Sequence, residues 1–133
     1  MPMNLELDLL GPKATFHHLG LVVESIARIA PEACIGTDPV QKVRFCHVTL
    51  NGVYLELLEP TGQDSPVFNS LQKGNKLVHI CYSVPDMNSS LVAAKANGFL
   101  CIAPPVMACA YDSRVSWIYH KQFGLIELLE TPA

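Results

Sequence analysis

Charge is scarce in this 133-residue chain: 16% of its residues are Asp, Glu, Lys or Arg, and the formal net charge is -3. With acidic groups outnumbering basic ones, no basic face is available to neutralise a phosphate backbone, so nucleic acid is not an expected partner. Long apolar runs are missing too. No stretch approaches the roughly 20 apolar residues that span a bilayer, and the opening MPMNLELDLL carries acidic residues where a secretory leader carries basic ones. Membrane association is therefore not expected, and a cytoplasmic location is. The five cysteines (Cys34, Cys46, Cys81, Cys101, Cys109) include no C-x-x-C pair. Their odd number and mostly apolar neighbours suit a reducing compartment and a role as small core hydrophobes. A glycine-rich phosphate loop is also lacking, so no local motif marks a CoA or nucleotide site.

What the chain does have is apolar content: half of its residues are hydrophobic. That excludes a disordered chain and suffices for one compact domain over residues 1–133. It also has a repeat. GLIELLETP near the end echoes VYLELLEP in the first half, with Glu127 in the place of Glu56. A carboxylate inside an apolar strand is expensive to bury, and two at matching places suggest that each copy contributes one to a common purpose.

The elements repeat around those strands. TFHHLGLVV reads as a strand, followed by a short helix that Ser25 caps and Pro31 ends. QKVRFCHVTL and VYLELLEP form a hairpin about Asn51-Gly52, the dipeptide best suited to a two-residue turn. DSPVFNSLQKGN is expected as a connecting helix with Ser65 as cap, Pro66 at the first position and Gly74 past the end. In the second half KLVHICYSV is a strand, and PDMNSSLVAAKANG is a helix capped by Asp86 with Met87, Leu91 and Ala94 on one face. FLCIAPPV is a short, proline-limited strand; RVSWIYH and LIELLE close the set. The expected fold is α+β: two βαβββ modules, residues 16–60 and 76–130, joined by residues 61–75. Their sheets would face each other across a pseudo-twofold axis and enclose a cavity.

Strand alternation sorts the side chains. With Leu19, Leu21 and Val23 facing the helices, His18 and Gly20 face the cavity; with Ile80, Tyr82 and Val84 facing the helices, His79, Cys81 and Ser83 face it. Glu56 shares a face with Tyr54 and Leu58, and Glu127 shares one with Leu125 and Leu129. A twofold then brings His18, Glu56, His79 and Glu127 together. Singly, a buried histidine is more often a hydrogen-bonded core residue, and a strand glutamate is more often solvated. Two of each at repeat-matched places point instead to a divalent cation (Co, Ni, Mn, Fe or Zn), whose charge two carboxylates balance and whose presence offsets their desolvation. His17 is expected on the opposite face, His47 mid-strand without a matching partner in the other repeat, His120 beside a turn, Glu59 and Glu130 as solvated strand ends, and Arg114 as a surface charge.

HHLGLVV, YLELLEPTGQDSPV, LVHICYSVPDM and YHKQFGLIELLE together resemble the vicinal oxygen chelate superfamily, which includes glyoxalase I, extradiol dioxygenases and bleomycin-resistance proteins. The resemblance runs from Phe16 to Glu130 and is strongest to the methylmalonyl-CoA epimerase branch. It implies a glyoxalase-like fold, often dimeric, with His18, Glu56, His79 and Glu127 on the metal-ligand positions and Glu127 also as a catalytic acid/base. It implies metal-assisted stabilisation of an enolate from a small carbonyl or thioester substrate, an acyl-CoA among the candidates. Two departures stand out. Some epimerases carry glutamine where Glu56 stands, which is closer to the glyoxalase I pattern. The family's second acid falls at Val40, so that Asp38, Tyr111 or Asp112 would have to replace it. A glyoxalase-I-like lyase and a non-catalytic binding protein of the bleomycin-resistance kind are the alternative readings.

Overall fold

The computed structural model describes Pro2 and residues 9–132. Its elements, in chain order, are β1 (Thr15–Val22), α1 (Ile26–Ile29), β2 (Gly36–Asp38), β3 (Val43–Leu50), β4 (Val53–Pro60), α2 (Phe68–Gln72), β5 (Leu77–Val84), α3 (Met87–Ala96), β6 (Leu100–Ala108), β7 (Ser113–His120) and β8 (Gly124–Glu130). The two βαβββ modules are therefore present. They do not form two separate sheets: all eight strands join one sheet in the order β2-β3-β4-β1-β5-β8-β7-β6. The order is the same read outward from the β1–β5 seam in either direction, which places the pseudo-twofold between those antiparallel strands. Each central strand pairs in parallel with the last strand of its own module, matching Gly20 to Glu56 in the first and Cys81 to Glu127 in the second.

Local chemistry accounts for most boundaries. Asn51 and Gly52 take φ of 49° and 86°, the two positive values that a type I′ turn demands, and their turn sets the β3–β4 register. Ser25 Oγ accepts from Arg28 N at 3.4 Å to cap α1, and Asp86 Oδ1 accepts from Ser89 N at 3.2 Å to cap α3. Met87 and Ala94 of α3 are buried, with Leu91 packed beside them, against Val84, Ile118, Ile126 and Leu128. Burying an apolar side chain of that size contributes about 1.5–3 kcal/mol. In the first module Ile26 packs on Leu55 and Leu57 in the same way. The helices cover one face of the sheet, and Glu56 and Glu127 lie between those apolar residues on the other.

Three expectations fail locally. Ser65 does not cap α2: the helix begins later, Val67 precedes it without a side-chain bond, and the Ser65 hydroxyl is buried unpartnered within a turn. The strand containing Pro104 and Pro105 is not short. β6 runs on to Ala108 because it is the outer edge, where the register shift between Ala103 and Val106 takes up both prolines without costing a paired N–H. Of the cysteines, only Cys46 and Cys81 are core residues; Cys34, Cys101 and Cys109 are exposed, and all five are free thiols. No helix among the described residues is long and apolar enough to cross a membrane.

Candidate metal centre and cavity

β1 and β5 each carry a histidine into the concave side, and β4 and β8 each carry a glutamate. The structure brings all four together: donor atoms of His18, Glu56, His79 and Glu127 lie within 4.8 Å of one another. His18 Nε2 is 3.2 Å from His79 Nε2, 3.6 Å from Glu56 Oε1 and 3.4 Å from Glu127 Oε1. His79 Nε2 is 3.7 and 3.5 Å from the same two oxygens. Donors held about 2.1 Å from one ion at tetrahedral or right angles stand roughly 3.0–3.4 Å apart, so the cluster nearly has the spacing of a coordination shell. No residue of the four is more than 5% exposed.

Glu127 supplies the sharpest test of fit. Its Oε1 is buried and makes no hydrogen bond; the imidazole nitrogens beside it are at distances that give charge attraction but poor N–H···O geometry. An unpartnered buried carboxylate oxygen is costly, and a divalent cation among two imidazoles and two carboxylates removes the cost. The donor set can hold such an ion, and its mixed N/O character admits Co, Ni, Mn, Fe or Zn.

The electrostatics of the cation-free cluster agree. Burial lowers the affinity of His18 for a proton, but Glu127 and Glu56 outweigh it and raise its pKa from 6.5 to about 9. Burial raises Glu56 and Glu127, yet neighbouring imidazoles (His18 and His47 for the former, His18 and His79 for the latter) leave both below the ordinary carboxylate range. Gly20 makes the arrangement sterically feasible: an added Cβ would lie 2.1 Å from His79 Cε1. At the matching place in the second module stands Cys81, fully buried, its thiol raised in pKa by burial and by Glu127.

Glu56, His79 and Glu127 form part of the wall of a cavity of about 530 Å³, with His18 buried behind them; its other walls are mostly apolar, among them Val40, Val67, Ile102, Val106, Met107 and Trp117. Of the three groups considered for the second acid, Tyr111 alone reaches the cluster, its hydroxyl donating to Glu56 Oε2 at 2.8 Å. Asp38 spends Oδ1 on the backbone N–H groups of Val40 and Gln41; Asp112 is an exposed turn residue at φ 50°.

Several residues lie elsewhere than expected. A register shift in β1 between Phe16 and His18 brings His17 onto the same side as His18, with Nδ1 atoms 2.8 Å apart. His47 has no histidine counterpart in the second module, where Trp117 takes its place, yet it belongs to the site: it stands opposite Glu56 in the β3–β4 ladder, with Nε2 3.1 Å from Oε2. The Asn51-Gly52 turn contained that pairing. Glu59 and Glu130 are not solvated ends but cap helices: Glu59 Oε1 accepts from Ile26 N at 2.8 Å and Glu130 Oε2 from Met87 N at 2.9 Å. Arg114 grips Glu130 with two bonds of 2.9 Å. His120 is beside its turn as expected, its Nδ1 accepting from Gln122 N.

Residues 17–117 match the family model described as Glyoxalase/Bleomycin resistance protein/Dioxygenase superfamily. The chain belongs to that superfamily. Over 94 residues it is 31% identical to the mitochondrial methylmalonyl-CoA epimerase of Homo sapiens, a match covering 68% of this chain and 53% of the human one. The chain thus spans about half the length of the curated relatives it matches. Among solved structures, methylmalonyl-CoA epimerase from Mycobacterium tuberculosis superposes with TM-score 0.77 at 19% identity, covering 98% of this chain and 93% of that one. A Streptomyces coelicolor methylmalonyl-CoA epimerase variant in complex with 2-nitronate-propionyl-CoA gives TM-score 0.72 at 23% identity, covering 91% and 100%. At those identities the superpositions show the glyoxalase-like α+β fold.

Proposed function

We propose that this superfamily member is a metal-dependent isomerase of the epimerase type, acting on a small carbonyl or thioester substrate by way of its enolate. His18, Glu56, His79 and Glu127 are the ligands, and Glu127 is also the catalytic base. The observation that carries the reading is the unpartnered Glu127 Oε1 inside a buried two-histidine, two-glutamate cluster beside an apolar-walled cavity. A divalent cation bound there supplies electrophilic stabilisation of negative charge developing on a carbonyl oxygen. His17 Nδ1, 2.8 Å from His18 Nδ1, is placed to accept the proton of that nitrogen, the tautomer in which His18 Nε2 would offer its lone pair to the cation. Glu127 takes the α proton of a substrate lying in the cavity. A substrate filling the apolar-walled cavity would displace water from beside the cluster, so that the small number of charges acting on the enolate are less screened than in bulk water.

The acyl-CoA assignment draws on the curated relatives and on the neighbour crystallised with 2-nitronate-propionyl-CoA. Val40, 78% exposed at the cavity, has no proton to give, so chemistry with a single carboxylate base suits this chain better than a two-carboxylate epimerisation. That feature, with a glutamate at position 56, favours the second reading, a glyoxalase-I-like lyase acting on the thiol adduct of a 2-oxoaldehyde. A homodimer in the cytoplasm completes the proposal, the free thiols being compatible with a reducing compartment.

The test is NMR detection of solvent deuterium entering the α position of methylmalonyl-CoA, with Co-loaded protein of known stoichiometry. Exchange lost in Glu127→Ala supports the proposal. Absence of exchange from fully loaded wild-type protein removes the thioester reading and turns the assay to oxoaldehyde adducts and to ligand binding without turnover.

A further inference from the structure

The two matching carboxylates are held differently. Glu56 Oε2 accepts from the Tyr111 hydroxyl at 2.8 Å and lies 3.1 Å from His47 Nε2; those two donors are 3.0 Å from each other. Two groups thus close around one oxygen, leaving Glu56 Oε1 to face His18 and His79. In the second module the residue opposite Glu127 is Trp117, as His47 is opposite Glu56. Its indole Nε1 makes no hydrogen bond, so the partner that His47 gives Glu56 has no counterpart at Glu127, which has the Cys81 thiol beside it instead. The ladder positions are equivalent; the clamp exists on one side only.

We propose that His47 and Tyr111 are positioning residues that fix Glu56 through Oε2, so that it would offer a single oxygen to a bound cation. The inference rests on the reading of the cluster as a cation site. A carboxylate with both oxygens free can swing between one-oxygen and two-oxygen ligation. Hydrogen bonds to Oε2 stop that motion, as bonds to ligating carboxylates do generally. The fold holds both donors in place. His47 is fixed across from Glu56 by the tight turn at Asn51-Gly52. Tyr111 sits in the turn between β6 and β7, its ring stacked on His18 at a centroid distance of 5.8 Å and an interplanar angle of 22°.

The test is titration of cation-free protein with Co(II), followed by visible absorption, for the wild type, Tyr111→Phe, His47→Leu, His47→Gln and the Tyr111→Phe/His47→Leu double variant. Loss of either donor should weaken Co(II) binding about 10-fold and loss of both about 100-fold, the scale seen when groups supporting metal ligands are removed. The d–d bands should shift as Glu56 gains its second oxygen. His47→Gln, which keeps an N–H donor, should recover most of the affinity and the wild-type spectrum, an outcome that a merely structural role for His47 does not predict. Should Tyr111→Phe fail to fold, the His47 pair probes the same oxygen independently. Wild-type affinity and spectrum in Tyr111→Phe and His47→Leu would overturn the clamp alone. No Co(II) uptake by the wild type would overturn the cation site itself, and the clamp with it.

Discussion

Replacing Gly20 with alanine tests the geometry of the site without touching a ligand. Gly20 lies on β1 between its parallel partner Glu56 and its antiparallel partner His79. A Cβ there would fall 2.1 Å from His79 Cε1, 2.3 Å from Nδ1 and 2.7 Å from Nε2. Carbon contacts are ordinarily about 3.5–4.0 Å, so the imidazole would have to retreat by about 1.4 Å. Trp117 limits the retreat, standing edge-on to the ring with centroids 4.8 Å apart at 88°. Overpacking of this kind costs about 1–3 kcal/mol, which lowers Tm by roughly 4–11 °C in a domain of this size. The displaced Nε2 leaves its place beside His18, and an error of about 1 Å in a preorganised site can cost on the order of 100-fold. Calorimetric titration with Co(II) gives the Kd, and thermal unfolding gives the stability. Val84→Ala is the control, since Val84 is fully buried against α3 and far from the ligand face; it should lose comparable stability and keep its Kd. Gly20→Ala with wild-type affinity for Co(II) would refute the reasoning, because His79 could not then be a ligand in the position described.

Other predictions follow from the same site and its supports. In the cation-free protein His18 has a pKa of about 9 against an ordinary 6.5. Its contribution to stability is therefore fully present below about pH 6.5 and lost as pH rises through about 9. Cation binding must expel that proton, so calorimetry at pH 7 in buffers of different ionisation enthalpy should report proton release, and heats independent of buffer would contradict it. Glu130→Gln removes the charge that Arg114 grips and weakens the acceptor for Met87 N; urea unfolding should show a loss of about 1 kcal/mol, the scale of a helix cap, with Co(II) affinity unchanged. Val40→Glu puts a carboxyl at the mouth of the cavity and should raise interconversion of methylmalonyl-CoA epimers by about 10-fold or more, as a second proton carrier does; no change would show that pocket shape had already closed off that reaction.

The positions of the four clustered residues were legible because each depends on strand parity and on an internal repeat, and both survive in the sequence alone. Ile126 and Leu128 had to face a helix, so Glu127 had to face away. His47 has a tryptophan as its counterpart in the repeat, so the repeat hides it, whereas the register of its own hairpin places it opposite Glu56. The side taken by His17 is not legible, because the register shift between Phe16 and His18 changes parity without a glycine or proline to announce it. Tyr111 belongs to a turn far in sequence from Glu56, and only the curl of the sheet joins them. For Glu59 and Glu130 the face was right and the environment wrong. A helix N-terminus packed over the strand end offers unpaired N–H groups that a carboxylate satisfies, and that packing is tertiary.

The most direct measurement is an anomalous difference map from a crystal of the Co-loaded protein, collected across the cobalt edge. One peak within bonding distance of His18 Nε2, His79 Nε2, Glu56 Oε1 and Glu127 Oε1 is predicted. A crystal shown to hold one cobalt per chain, with its peak elsewhere, would contradict the account.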